Sequence, residues 1–237
     1  MATFWFIRHG QSEAQLRPEL INGRSAQVPL TKKGVKQARV LGDCLARESS
    51  LPYFDFVWYS PALRTVDTKE NTIEVFSACR NIVPMYGMDD HRLFELDQGD
   101  WTGANRHEVY TKYMLGMIKK DPLNFKAPNG ESQREVAERM DNWLTEALRV
   151  AEKYIPNWVN PHAEPGLTAC NIAVFGHGLA FKCFLCNHFG IDNLRAFDIV
   201  IDNCSITKVE IFKDQESLRC KLLYLNFVYP EIRNVRD

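Results

Sequence analysis

The stretch Thr3-Phe4-Trp5-Phe6-Ile7-Arg8-His9-Gly10 decides the fold class. A short apolar and aromatic run breaks at once into a cation, an imidazole and a glycine. An amphipathic helix would spread its apolar residues over a longer window, so this run reads as a strand buried on both faces. Strands of that kind belong to parallel sheets covered by helices on either side. Moving outward, Thr31 is placed to cap a helix in which Val35, Ala38, Leu41 and Leu45 recur at helical spacing. Residues 54–59 form a second strand. Ser60-Pro61 then reads as the cap and first position of a helix running to about Ala78, with a short strand at 81–85.

Residues 86–130 are less regular, with one helix expected near 105–120. A long helix follows from Glu131, striped by Val136, Met140, Trp143, Leu144, Ala147, Leu148 and Ala151. Residues 171–175 read as a strand, 179–189 as a buried helix, and 205–212 with 218–228 as closing strands. This alternation predicts an α/β fold: a three-layer αβα sandwich whose mainly parallel sheet is flanked by helices. All of 1–237 is expected to form one domain, with a lid at 100–130 and a proline-bearing insertion loop at 156–170.

The chain has 237 residues, with 29 basic and 30 acidic side chains and a net charge of −1. Nothing in it forms the basic stripe that nucleic acid or an anionic membrane surface requires, so neither is an expected partner. Any anion site must be local. The seven cysteines are odd in number and scattered, several within apolar runs, as a cytoplasmic protein uses them. Cys183, Cys186 and His188 could be half a zinc site, but no second ligand pair follows at suitable spacing, and a helix packing its thiols is the plainer reading. The N-terminal apolar run lacks a basic flank and is too short for a signal segment or a membrane span. The mature chain is expected to start at or near residue 1.

Ligands bind open α/β sheets outside the carboxyl ends of the strands. Three polar clusters fall there: Arg8-His9-Gly10-Gln11-Ser12, Ser60-Pro61-Ala62-Leu63-Arg64-Thr65 and Gly176-His177-Gly178. Two histidines and two arginines can thus meet on one rim, a poor core but a good cradle for a dianion. Arginine's planar fork matches phosphate geometry, and a neutral imidazole is nucleophilic near pH 7. Gly10, Gly176 and Gly178 would let backbone approach the ligand without a Cβ in the way.

Arg8-His9-Gly10-Gln11-Ser12 resembles the R-H-G-x-[ST] signature of the histidine phosphatase superfamily, in its phosphoglycerate mutase-like branch. Pro29-Leu30-Thr31-Lys32-Lys33-Gly34-Val35-Lys36-Gln37-Ala38 resembles the branch's P-L-T-x-x-G-x-x-Q-A segment. The Ser60–Thr68 run resembles its S-x-x-x-R-x-x-x-T helix start, and the Leu93–Gly103 run its L-x-E-x-x-x-G-x-W-x-G stretch. Gly130-Glu131-Ser132 and Gly176-His177-Gly178 complete a set that keeps the family's order.

The resemblance implies a phosphomonoesterase in which His9 attacks phosphorus in line. Arg8, Arg64 and His177 would hold the equatorial oxygens, and Glu95 would act as general acid, then base. Gln15 stands where the branch carries an Asn that touches phosphate, and Gly23 resembles a loop glycine whose N–H faces it, with a plain turn glycine an equal reading. Glu131 could orient the pocket or belong to a helix cap. No cofactor or metal is implied, since the cationic side chains supply the charge that Mg²⁺ otherwise would. The expected partner is a small phosphorylated substrate, with a phosphoprotein as the alternative.

Two departures argue against glycolytic mutase activity: Leu96-Asp97-Gln98 replaces R-H-Y after the acid, and Ala14-Gln15 replaces W-N. Ser12 and Gly178 stand where the acid phosphatase and phytase branch has Arg and Asp. A binding module that recognises phosphate without turnover is the competing non-enzymatic reading. It would show as loss of a pocket residue, and none is lost. Arg106, Lys112, Lys119, Lys120 and Lys126 could recognise a second anionic group or form a solvated face. Tyr110, Tyr113 and Phe125 could serve a bulkier ester. His91 and His107 have no matched role and read as surface residues.

Overall fold

The computed structural model describes residues 1–49, 51, 53–82, 86–154, 170–213 and 217–236. The strand β1 is Ala2–Arg8. The helix α1, Lys32–Arg47, is capped as expected: Thr31 Oγ1 accepts from the Gly34 N–H at 3.0 Å, and Ala38, Leu41 and Leu45 are buried. β2 is Phe56–Tyr59 and α2 is Leu63–Arg80. Ser60 is not the cap of α2. Ala62 holds that position, while Ser60 Oγ accepts from the Ala62 N–H and lies 2.8 Å from His177 Nε2.

The helix α2 runs past Ala78 and leaves through Asn81 in the left-handed region, φ 55°. The strand expected at 81–85 is therefore displaced to β3, Tyr86–Asp89. Ile82 carries no strand, and 83–85 lie outside the described residues.

The single helix expected at 105–120 is two, α3 (Arg106–Val109) and α4 (Lys112–Lys120). Thr111 starts the second by accepting the Met114 N–H at 3.2 Å. The long helix α5 is Gln133–Tyr154 rather than starting at Glu131, and its whole expected stripe is buried. Ser132 Oγ accepts from the Glu135 N–H at 3.2 Å and the Glu135 carboxylate from the Ser132 N–H at 2.7 Å. That reciprocal pair starts the helix and releases Glu131 from capping. Of the expected insertion loop, 156–169 lie outside the described residues and Cys170 opens β4, Cys170–Gly176. The chain closes with α6 (Gly178–Phe189), β5 (Ile206–Lys213), β6 (Leu218–Phe227) and α7 (Pro230–Arg233).

The strands form one sheet in the order β3-β2-β4-β1-β5-β6. The first four are parallel, and β5 and β6 are antiparallel. Successive side chains of β1 divide between two cores. Phe4 and Phe6 pack with Trp143 of α5 and Phe181 and Phe184 of α6 on one face. Trp5 and Ile7 pack with Leu41 and Leu45 of α1 and Phe76 of α2 on the other. The helices after β1 and β4 thus leave to opposite faces although the strands are neighbours, and a binding crevice opens where that happens.

Cys183 is buried in the first core, and Cys186 is buried as well. His188 instead reaches Asp141 Oδ1 at 2.8 Å and Cys220 Sγ at 3.6 Å. Among the described residues, no helix is long and apolar enough to cross a membrane.

The loop after β1 rests directly on the first turn of α1. A Cβ on Gly10 would lie 2.6 Å from the Gly34 carbonyl oxygen, and one on Gly34 would lie 2.0 Å from that of Gln11. Gly34→Ala must push the His9 loop away and is expected to cost about 2 kcal/mol or more. Gly116→Ala, on α4 with open space around it, is expected to gain about 0.5 kcal/mol or more from helix propensity. Urea midpoints of the two variants check the contrast.

Candidate active site

Strand register brings the three polar clusters together. Arg8 is paired with Gly176 across β1 and β4, and Phe175 is paired with Tyr59 across β4 and β2. The residues that follow stay level: the His9 N–H donates to the Gly176 carbonyl at 3.1 Å and the Ser60 N–H to that of Phe175 at 3.0 Å. The His9 and His177 rings lie edge to face with centroids 5.3 Å apart.

The hydrogen bonds of His9 assign its tautomer. Nδ1 lies 2.7 Å from the Gly10 carbonyl, which can only accept, so Nδ1 carries the proton. Nε2 keeps its lone pair and accepts from Arg64 Nε at 3.3 Å. Burial first, then the charges of Arg64 and Arg8, hold this imidazole well below its ordinary pKa. It is a neutral ring with a free nitrogen beside two guanidinium groups.

His177 is fully buried. Its Nε2 lies 2.8 Å from Ser60 Oγ and 3.3 Å from Thr65 Oγ1. The hydroxyls of Ser60 and Thr65 can each donate to Nε2, in the tautomer that carries the ring proton on Nδ1. Nδ1 is buried with no hydrogen-bond partner, as is Nε of Arg8. Unsatisfied buried donors are costly unless an acceptor arrives, and of these two residues Arg8 lines the cavity while His177 lies behind its lining. Burial, then the Arg64 charge, also pushes the His177 pKa well down.

The remaining donors are fixed in place. Arg64 gives Nη1 to the Ser25 carbonyl at 2.8 Å and Nη2 to that of Arg24 at 3.1 Å, and burial lowers its pKa to about 10, still charged at neutrality. Arg8 Nη1 donates to the Ile201 carbonyl. Both Glu95 oxygens rest on the start of α6. Oε1 accepts from the Ala180 N–H at 2.9 Å and also from Leu96, and Oε2 from Leu179 at 3.1 Å. Oε2 retains the freer lone pair.

Arg8, His9, Arg64 and Glu95 line one cavity of about 460 Å³, together with Gln15 and Gly23. Gln15 is held by Asn203: its Nε2 donates to Asn203 Oδ1 at 3.1 Å, and Asn203 Nδ2 donates to the His9 carbonyl at 2.9 Å. Gly23 has φ +49°, and a Cβ there would meet the Gln98 side chain at 2.9 Å, so the turn itself requires glycine.

The expectation that Gly10 and Gly176 clear space for a ligand is corrected. Their missing Cβ atoms would strike Gly34 and the Phe181 ring, so both glycines serve packing. The sequence does not mark Asn203, and it marks Ser60 as a helix cap and Thr65 as part of the second polar cluster rather than as partners of His177. Each acts through a contact more than fifty residues away, and no local pattern marks that contact.

Glu131 is a clamp. It accepts from the Asp97 N–H at 3.1 Å, from Arg139 Nε and Nη2 at 3.1 Å each, and pairs with Arg24 Nη2 at 2.9 Å. Arg139 also donates to the Glu95 carbonyl at 3.2 Å. Burial pushes the Glu131 carboxyl up, yet the Arg139 bonds and both cations hold it net below its usual pKa. One carboxylate therefore joins the loop that holds Arg64 to the loop that carries Glu95.

The model of the histidine phosphatase superfamily (branch 1) matches residues 4–222, and the chain belongs to that superfamily. A 2,3-bisphosphoglycerate-dependent phosphoglycerate mutase of Rhizobium etli is 30% identical over 148 residues, 59% of this chain and 64% of that one. The chain therefore spans just under two thirds of that relative. Phosphoserine phosphatase 1 of Hydrogenobacter thermophilus is 25% identical over 199 residues, covering 83% of this chain and 80% of its own. A mycobacterial glucosyl-3-phosphoglycerate phosphatase structure shares the fold, with TM-score 0.74 and 20% identity over 95% of this chain and 99% of that one.

Two measurements follow. Both rings stay neutral when folded, whereas unfolded histidine protonates near pH 6.5. Stability should fall as pH drops below about 6.5, by about 1.4 kcal/mol per pH unit for each ring, until the folded pKa is reached. Urea midpoints at pH 7.5 and 5.5 read the slope, and ¹⁵N NMR should show His9 Nε2 unprotonated at pH 6. Glu131→Ala leaves Arg139 and Arg24 without their shared acceptor. It is expected to cost about 1–3 kcal/mol and to lower kcat more than substrate affinity, read by steady-state kinetics.

Proposed function

We propose that this chain is a metal-independent phosphomonoesterase that works through a covalent phosphohistidine at His9. The observation that carries the reading is the His9 tautomer: Nδ1–H is bonded to the Gly10 carbonyl while Nε2 is left unprotonated against Arg64. In the first step Nε2 attacks phosphorus and the ester P–O bond breaks. The Arg64 Nε–H hydrogen bond shifts from His9 Nε2 to a phosphoryl oxygen, Arg64 keeping its proton and charge, while Arg8 Nε–H and His177 Nδ1–H are the further donors. Glu95 gives a proton to the leaving oxygen. In the second step Glu95 takes a proton from water, which attacks phosphorus and breaks the N–P bond, returning neutral His9 and inorganic phosphate.

Gln15 and Gly23 line the same cavity and would bound the phosphoryl site. The substrate is a small phosphorylated molecule, as phosphatase relatives suggest. All seven cysteines are free thiols, which supports a cytoplasmic setting. Phosphoryl return to substrate is the second reading, favoured by the Rhizobium mutase relative. Against it stand the roles taken by the residues after Glu95: Asp97 accepts the Gly99 N–H at 2.8 Å and faces Arg24.

The test is phosphate release from a phosphomonoester panel in chelator, with wild type and His9→Ala, beside acid-quench trapping of labelled enzyme. Wild type should release phosphate without metal and trap acid-labile phosphate on His9, and the variant should lose about 10³-fold or more in rate. Isomerisation of 3-phosphoglycerate faster than phosphate release would favour the mutase. Equal release by both proteins, or a strict need for added metal, sinks the hydrolase reading.

A further inference from the structure

The catalytic cavity adjoins a larger one of about 650 Å³, and Leu96, Gln98, Arg106 and Leu179 line both. The second is out of proportion to a three-carbon alcohol and in the range that encloses a drug-sized ligand. Its walls are mainly apolar. Trp101 meets Tyr110 edge-on and Phe125 at a tilt, both with centroids 5.8 Å apart. Leu115 and Ile118 of α4 and Phe197 add to them.

The helix α4 shows what is missing. It has no buried residue, although Leu115 and Ile118 share one face at helical spacing. Leu115 is 44% exposed and Phe197 is 54% exposed, both toward this chamber's lining. Most of its charges are paired: Lys126 with Glu135 at 2.7 Å and Arg195 with Asp198 at 2.9 Å, while Arg106 lies over the Tyr110 ring. Lys119 also lines the chamber, whereas Tyr113, Lys112 and Lys120 lie outside the lining.

We propose that this chamber holds the alcohol half of the substrate, and that the substrate is a phosphate monoester with a large, flat, aromatic alcohol part. The proposal rests on the hydrolase reading for the position of phosphorus at His9. Docking a ring system against Trp101, Tyr110 and Phe125 would cover the open face of α4 and remove apolar surface from water on both partners. A glycerol-sized alcohol would leave the chamber wet.

The experiment varies size at constant leaving-group acidity, because aryl esters hydrolyse faster for chemical reasons alone. Ethyl, 2-phenylethyl and 2-(2-naphthyl)ethyl phosphate are all primary alkyl esters. The value of kcat/KM should rise by about tenfold per step of ring size, following the apolar area buried. Leu115→Asp, at a half-exposed position that leaves the core untouched, should bring the naphthyl-to-ethyl ratio down at least tenfold. A ratio below about three in wild type, or one that Leu115→Asp does not move, overturns the proposal. Calorimetry with the matching phosphonates reads the chamber without turnover. Preferential binding of the naphthyl phosphonate without phosphate release would sink the hydrolase reading and keep the chamber. Release with no size preference in either assay would do the reverse.

Discussion

The parallel pairing of β1 with β4, with Arg8 level with Gly176, is the constraint on which the site depends. It sets His9 and His177 side by side at the point where the following helices part to opposite faces. Nothing else in the sheet could bring residues 168 positions apart into ring contact at 5.3 Å with so little freedom. A slip of one residue would turn every β1 side chain to the wrong face, moving Phe4 and Phe6 out of the core built on Trp143. The register that the hydrophobic effect enforces is also the register that brings the two imidazoles together.

Around that pair, charge is buried at a cost. Arg8 and Arg64 are pushed down from the ordinary guanidinium pKa chiefly by burial, with Glu95 as a favourable charge near both. Burial first, and then their charge, keeps both imidazoles neutral. The unsatisfied donors of Arg8 and His177 are the remainder of that arrangement. An anion entering the cavity meets guanidinium groups already held in place, with only the Arg64 Nε–H bond to His9 to exchange, which favours stabilisation of a charged transition state.

The scaffold behind the donors is a network of loops held by side chains. Carbonyls of Arg24 and Ser25 fix Arg64, the start of α6 fixes Glu95, and Glu131 with Arg139 ties those two supports together. The capping of α5 matters here in an indirect way. Because Ser132 and Glu135 cap the helix, Glu131 is left free to act across the site.

Much of this was legible in the sequence, because burial patterns and caps are local. The apolar run of β1, the Thr31 cap and the stripe of α5 each announce themselves within a few residues. So do Arg8, His9, Arg64, Glu95 and His177, whose neighbours match one family's order. What tertiary structure alone decided depends on contacts between distant segments. Ser60 looked like a helix cap until His177 claimed its hydroxyl. Gly10 looked like room for a ligand until Gly34 proved to be its neighbour. Asn203 has no sequence signature, and for Glu131 and the segment around Tyr110 and Phe125 the sequence left two readings open, since their contacts are defined by what folding brings across from elsewhere.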